Sequence, residues 1–162
     1  MLNLVLVHPE IPQNTGNIAR TCAVTGSRLH LVGPMGFSVD DKKLKRAGLD
    51  YWHLLDIRYY ASLEEYLSAW TDARRWFATS KGGVCYTEAA FRDGDHILFG
   101  QETAGLPEDL LRAAPDRCIR IPQVSEARCL NLSNSAAIIC YEALRQLGFP
   151  GMVRYGKLPE RA

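Results

Sequence analysis

Short apolar runs of strand length alternate along this chain with segments of helical periodicity, and no linker-like stretch interrupts the series. Leu4 to Val7 reads as a buried strand. A loop at His8-Pro9-Glu10-Ile11-Pro12 and a helix from about Asn17 to Thr25, stopped by Gly26, follow it. Arg28 to Val32 is a second strand, Asp40 to Ala47 a short charged helix, and Ile57 to Tyr60 a candidate strand. Leu63, Tyr66, Leu67 and Trp70 share one face of a helix, after which Arg75 to Thr79 and Ile97 to Phe99 read as strands. Pro107 suits the first turn of a helix reaching Ala113, and Cys118 to Ile121 is the last strand. Ala136, Cys140, Ala143, Leu144 and Leu147 follow helical spacing until Gly148 and Pro150 end the final helix. Strands separated by helices imply a mostly parallel sheet covered on both faces. The expected class is α/β.

With 162 residues, 47% apolar and 23% charged, the chain has the profile of one globular domain spanning 1–162, with 152–162 as a loose tail. Its longest apolar run, Ala136 to Tyr141, falls far short of the ~20 residues of a membrane span, and the start lacks a basic segment. A cytoplasmic protein without membrane contact is expected. The five cysteines, an odd number without a C-x-x-C pair, argue against a disulfide framework and against structural zinc, and no metal is expected. Four read as small hydrophobes; Cys129 is held apart from them. A net charge of +1 leaves any nucleic-acid role to local patches.

Ligands of open α/β sheets bind beyond the carboxyl ends of strands, here the loops after Val7, Thr79, Phe99 and Ile121. Asn14 to Arg20 holds a glycine that allows close backbone approach, and helix-start amides that attract an anion. Arg20 reads as lying near the first turn, where a cation opposes the helix dipole unless an anionic partner offsets it; the plainer reading is an arginine snorkelling onto a carboxylate. In Phe99-Gly100-Gln101-Glu102, Gly100 leaves room for a ligand at the backbone and Glu102 offers a carboxylate, or the segment is a tight turn with a solvated glutamate. Asn131 or Ser133 serves the third loop or simply caps the last helix. Neither a G-x-G-x-x-G nor a P-loop order is present, which disfavours a dinucleotide oxidoreductase or a P-loop kinase.

In this order and spacing, Pro9-Glu10-Ile11-Pro12, Asn14 through Arg20, Pro34-Met35-Gly36-Phe37, Arg46 through Tyr51 and Asn131-Leu132-Ser133-Asn134 resemble the SPOUT class of RNA methyltransferases. Nearest among them is the small tRNA (cytidine/uridine-34) 2′-O-methyltransferase family. The resemblance runs from Leu2 to about Gly151. It implies a parallel sheet with a C-terminal trefoil knot, S-adenosylmethionine as cofactor and a homodimer whose site is completed by the partner. It implies as substrate the anticodon stem-loop of tRNA, leucine tRNAs first, and not DNA. Arg20 would be the catalytic arginine, supported by Asn14, Glu102, Asn131 and Ser133. Ala78, Thr79, Gly100, Ile121, Cys129 and Leu130 would wall the cofactor pocket. Cys129 stands where many relatives carry serine, and Gln101 where several carry proline.

Methyl transfer from a sulfonium to a 2′-hydroxyl annihilates charge, so a dry pocket and in-line positioning both favour it. A guanidinium stays charged in proteins, so Arg20 suits a clamp for phosphate and a polariser of the hydroxyl, with the base unassigned. Lys42, Lys43, Lys45 and Arg46, or Arg154, Lys157 and Arg161 of the tail, would hold RNA. The competing expectations are a methyltransferase of ribosomal RNA and a non-catalytic nucleotide- or RNA-binding module.

Overall fold

The computed structural model describes residues 1–38, 54–126 and 129–158. The expected helix over Asp40–Ala47 and the basic residues Lys42, Lys43, Lys45, Arg46 and Arg161 lie outside them. Seven strands form one sheet: β1 (Asn3–Val7), β2 (Arg28–Val32), β3 (Ile57–Tyr60), β4 (Arg75–Ala78), β5 (Val84–Cys85), β6 (His96–Phe99) and β7 (Cys118–Arg120). Their order is β3-β2-β1-β6-β4-β7-β5, and every pairing is parallel. β1 lies inside the sheet, with Leu4 opposite Leu29 of β2 on one side and Ile97 of β6 on the other.

Among the described residues four α-helices cover this sheet: α1 (Pro12–Thr25), α2 (Leu63–Ala69), α3 (Glu108–Arg112) and α4 (Leu132–Gln146). The period of two along β1 divides its apolar run between two cores. Leu4 and Leu6 pack with Ile18, Ala19 and Cys22 of α1 and with Ala136, Ile139 and Cys140 of α4. Val5 and Val7 pack on the other face with Tyr66 of α2 and with Leu106, against which Leu110 and Leu111 of α3 lie. Cys22, Cys118 and Cys140 are buried free thiols, and burial raises the pKa of each. They act as small apolar fillers.

The chain order reverses between β1 and β6. Strands β1 to β3 extend one way and β6, β4 and β7 the other, so the loops after β1 and β6 part at a topological switch point.

Two local expectations are corrected. α1 begins at Pro12 rather than near Asn17, so Asn14, Thr15 and Gly16 are helical and buried instead of forming a glycine loop with free amides. Proline at the first helical position needs no N–H partner, which lets the helix start early. Arg20 is therefore exposed in the middle of α1, where the terminal dipole argument does not apply. The short strand β5 has no sequence signal of its own, because two residues cannot display a period.

A buried polar cluster joins β1, β2 and β6. His30 Nδ1 lies 3.0 Å from the Tyr60 hydroxyl and Nε2 lies 3.1 Å from Asn3 Oδ1, while Trp70 Nε1 donates to the Tyr60 hydroxyl at 2.8 Å. His96 Nδ1 lies 2.8 Å from the Tyr66 hydroxyl, and the two imidazole centroids are 5.2 Å apart. Burial is the leading cause that lowers the pKa of His30 to about 3 and that of His96 to about 4, so both rings are neutral.

Candidate active site

A cavity of about 500 Å³ opens at the carboxyl ends of β4, β6 and β7. All six residues expected to wall a cofactor pocket line it: Ala78 at the end of β4 and Thr79 after it, Gly100 after β6, Ile121 after β7, and Cys129 with Leu130 before α4. Asn14, Glu102 and Asn131 line it too, whereas Arg20 and Ser133 do not. Another hollow, of about 460 Å³, lies at the amino ends of the strands. Its buried Asp95 is engaged by Arg74 at 2.8 Å and by Trp76 Nε1 and the Arg92 amide at 2.9 Å. Those groups satisfy one another and leave the first cavity as the candidate site.

Its polar rim is a continuous hydrogen-bond chain. Glu102 accepts from the Glu10 amide at 2.9 Å, the Ile11 amide at 3.3 Å and Asn14 Nδ2 at 3.0 Å. Asn14 Oδ1 in turn accepts from Asn131 Nδ2 at 3.0 Å. Asn131 Oδ1 caps α4 by accepting from the Ser133 amide at 2.9 Å and the Asn134 amide at 3.3 Å, and it receives the Ser133 hydroxyl at 2.7 Å. Capping and site assembly are thus one job for Asn131, and Ser133 belongs to the chain without touching the cavity. Glu102 is no solvated turn residue. Ile11, the residue before α1, makes no side-chain cap, and Glu102 covers the amides at that helix end from another loop.

Gly100 serves a purpose besides the expected one. A Cβ there would sit 2.0 Å from the Gly105 carbonyl carbon and 2.2 Å from the Leu106 amide nitrogen. Its bare Cα makes room for the loop to fold back on itself, closed by the paired backbones of Gln101 and Gly105. Sequence reasoning also missed Glu10 and Thr103. The Glu10 carboxylate accepts from the Thr103 amide at 3.1 Å and from its hydroxyl at 2.8 Å. No local pattern announces a bond between residues so distant in sequence.

The walls suit S-adenosylmethionine by their chemistry. Ile119, Leu130, Leu132 and Ile139 present aliphatic surface, while Gln101, Gln123 and Ser135 present amide and hydroxyl groups beside the Glu102 carboxylate. That mixture fits an adenosine joined to a charged amino-acid tail, in a cavity of the size small ligands occupy. At the rim, Lys81 pairs with Glu108 at 2.6 Å and holds that carboxyl below its usual range. Both partners are exposed, so the pair adds little stability.

Comparison with known proteins agrees with this architecture. Residues 1–141 match the SpoU rRNA methylase family. The tRNA (cytidine(34)-2′-O)-methyltransferase of Escherichia coli K12 is 49% identical over 154 residues, which is 94% of this chain and 98% of that protein. The enzyme of the same name from Yersinia pestis is 48% identical over 93% of this chain and 97% of its own length. A solved structure concerned with 2′-OH methylation of C/U34 on tRNA superposes with a TM-score of 0.87 at 47% identity, covering 91% of this chain and 97% of that one. AviRb of Streptomyces viridochromogenes, solved with AdoMet bound, gives 0.80 at 28% identity over 91% of this chain and 60% of that chain. On the matching fold and near-half identity over almost the whole length, the chain belongs to the SpoU methylase family, among the tRNA (cytidine(34)-2′-O)-methyltransferases.

Proposed function

We propose that this chain transfers a methyl group from S-adenosylmethionine to the ribose 2′-hydroxyl of nucleotide 34, cytidine or modified uridine, in the anticodon loop of tRNA. The observation that carries the reading is the convergence of the loops after β1, β4, β6 and β7 on one cavity, in a chain about half identical to enzymes of that activity. When bound, the cofactor supplies an electrophilic methyl on a sulfonium. Ala78, Thr79, Gly100, Ile121, Cys129 and Leu130 would hold it, and the aliphatic walls would keep water from the reacting atoms. Asn14, Glu102, Asn131 and Ser133 act by fixing those walls relative to one another. That is positioning, which supplies a large part of such barriers.

Arg20 is the catalytic arginine in this reading, clamping the phosphate next to the ribose and polarising the hydroxyl. Its exposure on α1, away from the cavity of its own chain, supports a homodimer in which Arg20 of one copy meets the cavity of the other. Val24 of α1 and Ile138 and Tyr141 of α4 are exposed apolar side chains on helices that pack together, which suits burial against a second copy. The same reading takes residues 1–162 as a single knotted domain working in the cytoplasm, with Arg154 and Lys157 of the tail as RNA contacts. Among the described residues no helix is long and apolar enough to cross a membrane.

The test incubates the protein with radiolabelled S-adenosylmethionine and, in parallel, leucine tRNA transcripts and ribosomal RNA, then maps the label by nuclease digestion. Label on the ribose of nucleotide 34 is the expected result. Label on ribosomal RNA alone would reassign the substrate. Binding of tRNA without transfer would make the chain a binding module.

A further inference from the structure

The loop over residues 101–105 forms one wall of the cavity, yet Thr103, Ala104 and Gly105 are exposed and only the backbone pairing of Gln101 with Gly105 closes the loop on itself. What fixes its tip comes from the loop after β1. Glu10 accepts the Thr103 amide at 3.1 Å and the Thr103 hydroxyl at 2.8 and 3.0 Å on its two oxygens. The return bonds run from the Glu10 and Ile11 amides to Glu102, at 2.9 and 3.3 Å. Each loop thus offers one carboxylate to the backbone amides of the other.

We infer that Glu10 is a positioning residue for the cofactor, holding the 101–105 wall in place through Thr103. The inference rests on the proposed function. Glu102 anchors the base of that loop to α1 through Asn14, while Glu10 anchors its tip. Without Glu10 the tip keeps no side-chain tether among the described residues, and the wall opens toward solvent.

Calorimetric titration of S-adenosylmethionine into the dimer or monomer as isolated, without tRNA, reads the effect directly. Glu10→Ala is expected to weaken binding roughly tenfold, the scale of losing charge-assisted bonds, and to raise KM for the cofactor with kcat changed far less. Thr103→Ala, which keeps the backbone amide bond to Glu10, should show a smaller loss in the same direction, and the double variant should bind no worse than Glu10→Ala alone, because the Thr103 bonds all run to Glu10. Glu10→Gln, which keeps one acceptor oxygen, should recover part of the affinity. A purely structural role would lower the melting temperature and leave the affinity of the folded protein unchanged. Unchanged affinity in both alanine variants, or losses that add in the double variant, would overturn the inference. Should Glu10→Ala not fold, Thr103→Val decides by the same titration, since it removes the hydroxyl alone. Failure of the unsubstituted chain to bind would overturn the proposed function, and this inference with it. Normal binding there, with unaffected variants, would overturn the inference alone.

Discussion

Asn14 and Asn131, 117 positions apart in sequence, join α1 to the cap of α4 through a 3.0 Å bond between their carboxamides. Asn14 is buried, and its other amide atom donates to Glu102, so each end of the group has a partner. Asn14→Ala should cost about 1–3 kcal/mol by taking one of three donors from Glu102 and the acceptor from Asn131 Nδ2. Asn14→Asp is nearly isosteric but places a carboxylate against Glu102 in place of a donor. At neutral pH it should be worse than alanine, and it should recover as acid restores a proton to the pair. Urea unfolding of both variants at pH 7 and pH 5 checks this; equal losses independent of pH would show that the donor itself is unimportant.

The neutral histidine pair predicts a stability that falls with acid. Trp70 donates to the Tyr60 hydroxyl, which leaves that hydroxyl to donate to His30 Nδ1 and gives Nε2 the proton for Asn3. A second proton on His30 has no acceptor there. In the unfolded chain both histidines titrate near 6.5, whereas in the fold they titrate at about 4 and about 3. The unfolded state therefore binds more protons throughout that interval. Stability should be at its plateau above about pH 6.5 and decline below it, until about pH 4 for His96 and about pH 3 for His30. The slope is at most about 1.4 kcal/mol per pH unit for each ring. In His30→Gln the decline measured by chemical unfolding from pH 7 to pH 4 should flatten by up to one ring's share.

Much of this was legible before the structure. The run Leu4 to Val7 announced a strand buried on both faces, and the loops after the strands were the right places to seek a ligand. What failed did so for a common reason. The start of α1 was misplaced because its end is covered by Glu102, some ninety positions downstream, and no local cap marks it. Taken alone, the segment around Glu102 left open a solvated turn residue, because its donors come from Glu10, Ile11 and Asn14. Glu10 shows no role in the sequence, although its bonds to Thr103 join two loops. Periodicity reports burial against a neighbour one turn or one pleat away. It is silent about side chains that meet only when the sheet closes.

Arg20→Ala should abolish methyl transfer while leaving unfolding and S-adenosylmethionine affinity near those of the unsubstituted chain, since Arg20 is exposed and lies outside the cavity walls. If the site is shared between copies, mixing this variant with one whose cavity is blocked should restore activity. A hybrid dimer then carries one site with both an intact arginine and an intact cavity. Activity no greater than the sum of the separate proteins would mean that each chain works alone, and near-normal turnover of Arg20→Ala would remove that residue from the chemistry.

Gly100→Ala and Gly105→Ala should part company. A Cβ at Gly100 would lie 2.0 Å from the Gly105 carbonyl carbon, 2.2 Å from the Leu106 nitrogen and 2.3 Å from the Gly105 oxygen. All three are backbone atoms, which cannot rotate aside as a flexible side chain would. The loop must therefore move as a body, and it carries Glu102 and Thr103 away from Asn14 and Glu10. β6 itself ends at Phe99 and keeps its pairing, so the fold should survive with a loss of about 1–3 kcal/mol, the usual cost of overpacking. At Gly105 nothing lies within 4 Å of the added carbon, and only the positive φ of 75° is unfavourable. That strain is worth about 1–2 kcal/mol. Two variants of similar stability should thus differ in ligand binding: S-adenosylmethionine affinity lost in Gly100→Ala and largely kept in Gly105→Ala. Unfolding curves and calorimetric titration on the same preparations measure both quantities. Retained affinity in Gly100→Ala would mean that the folded-back loop is not the wall that holds the cofactor.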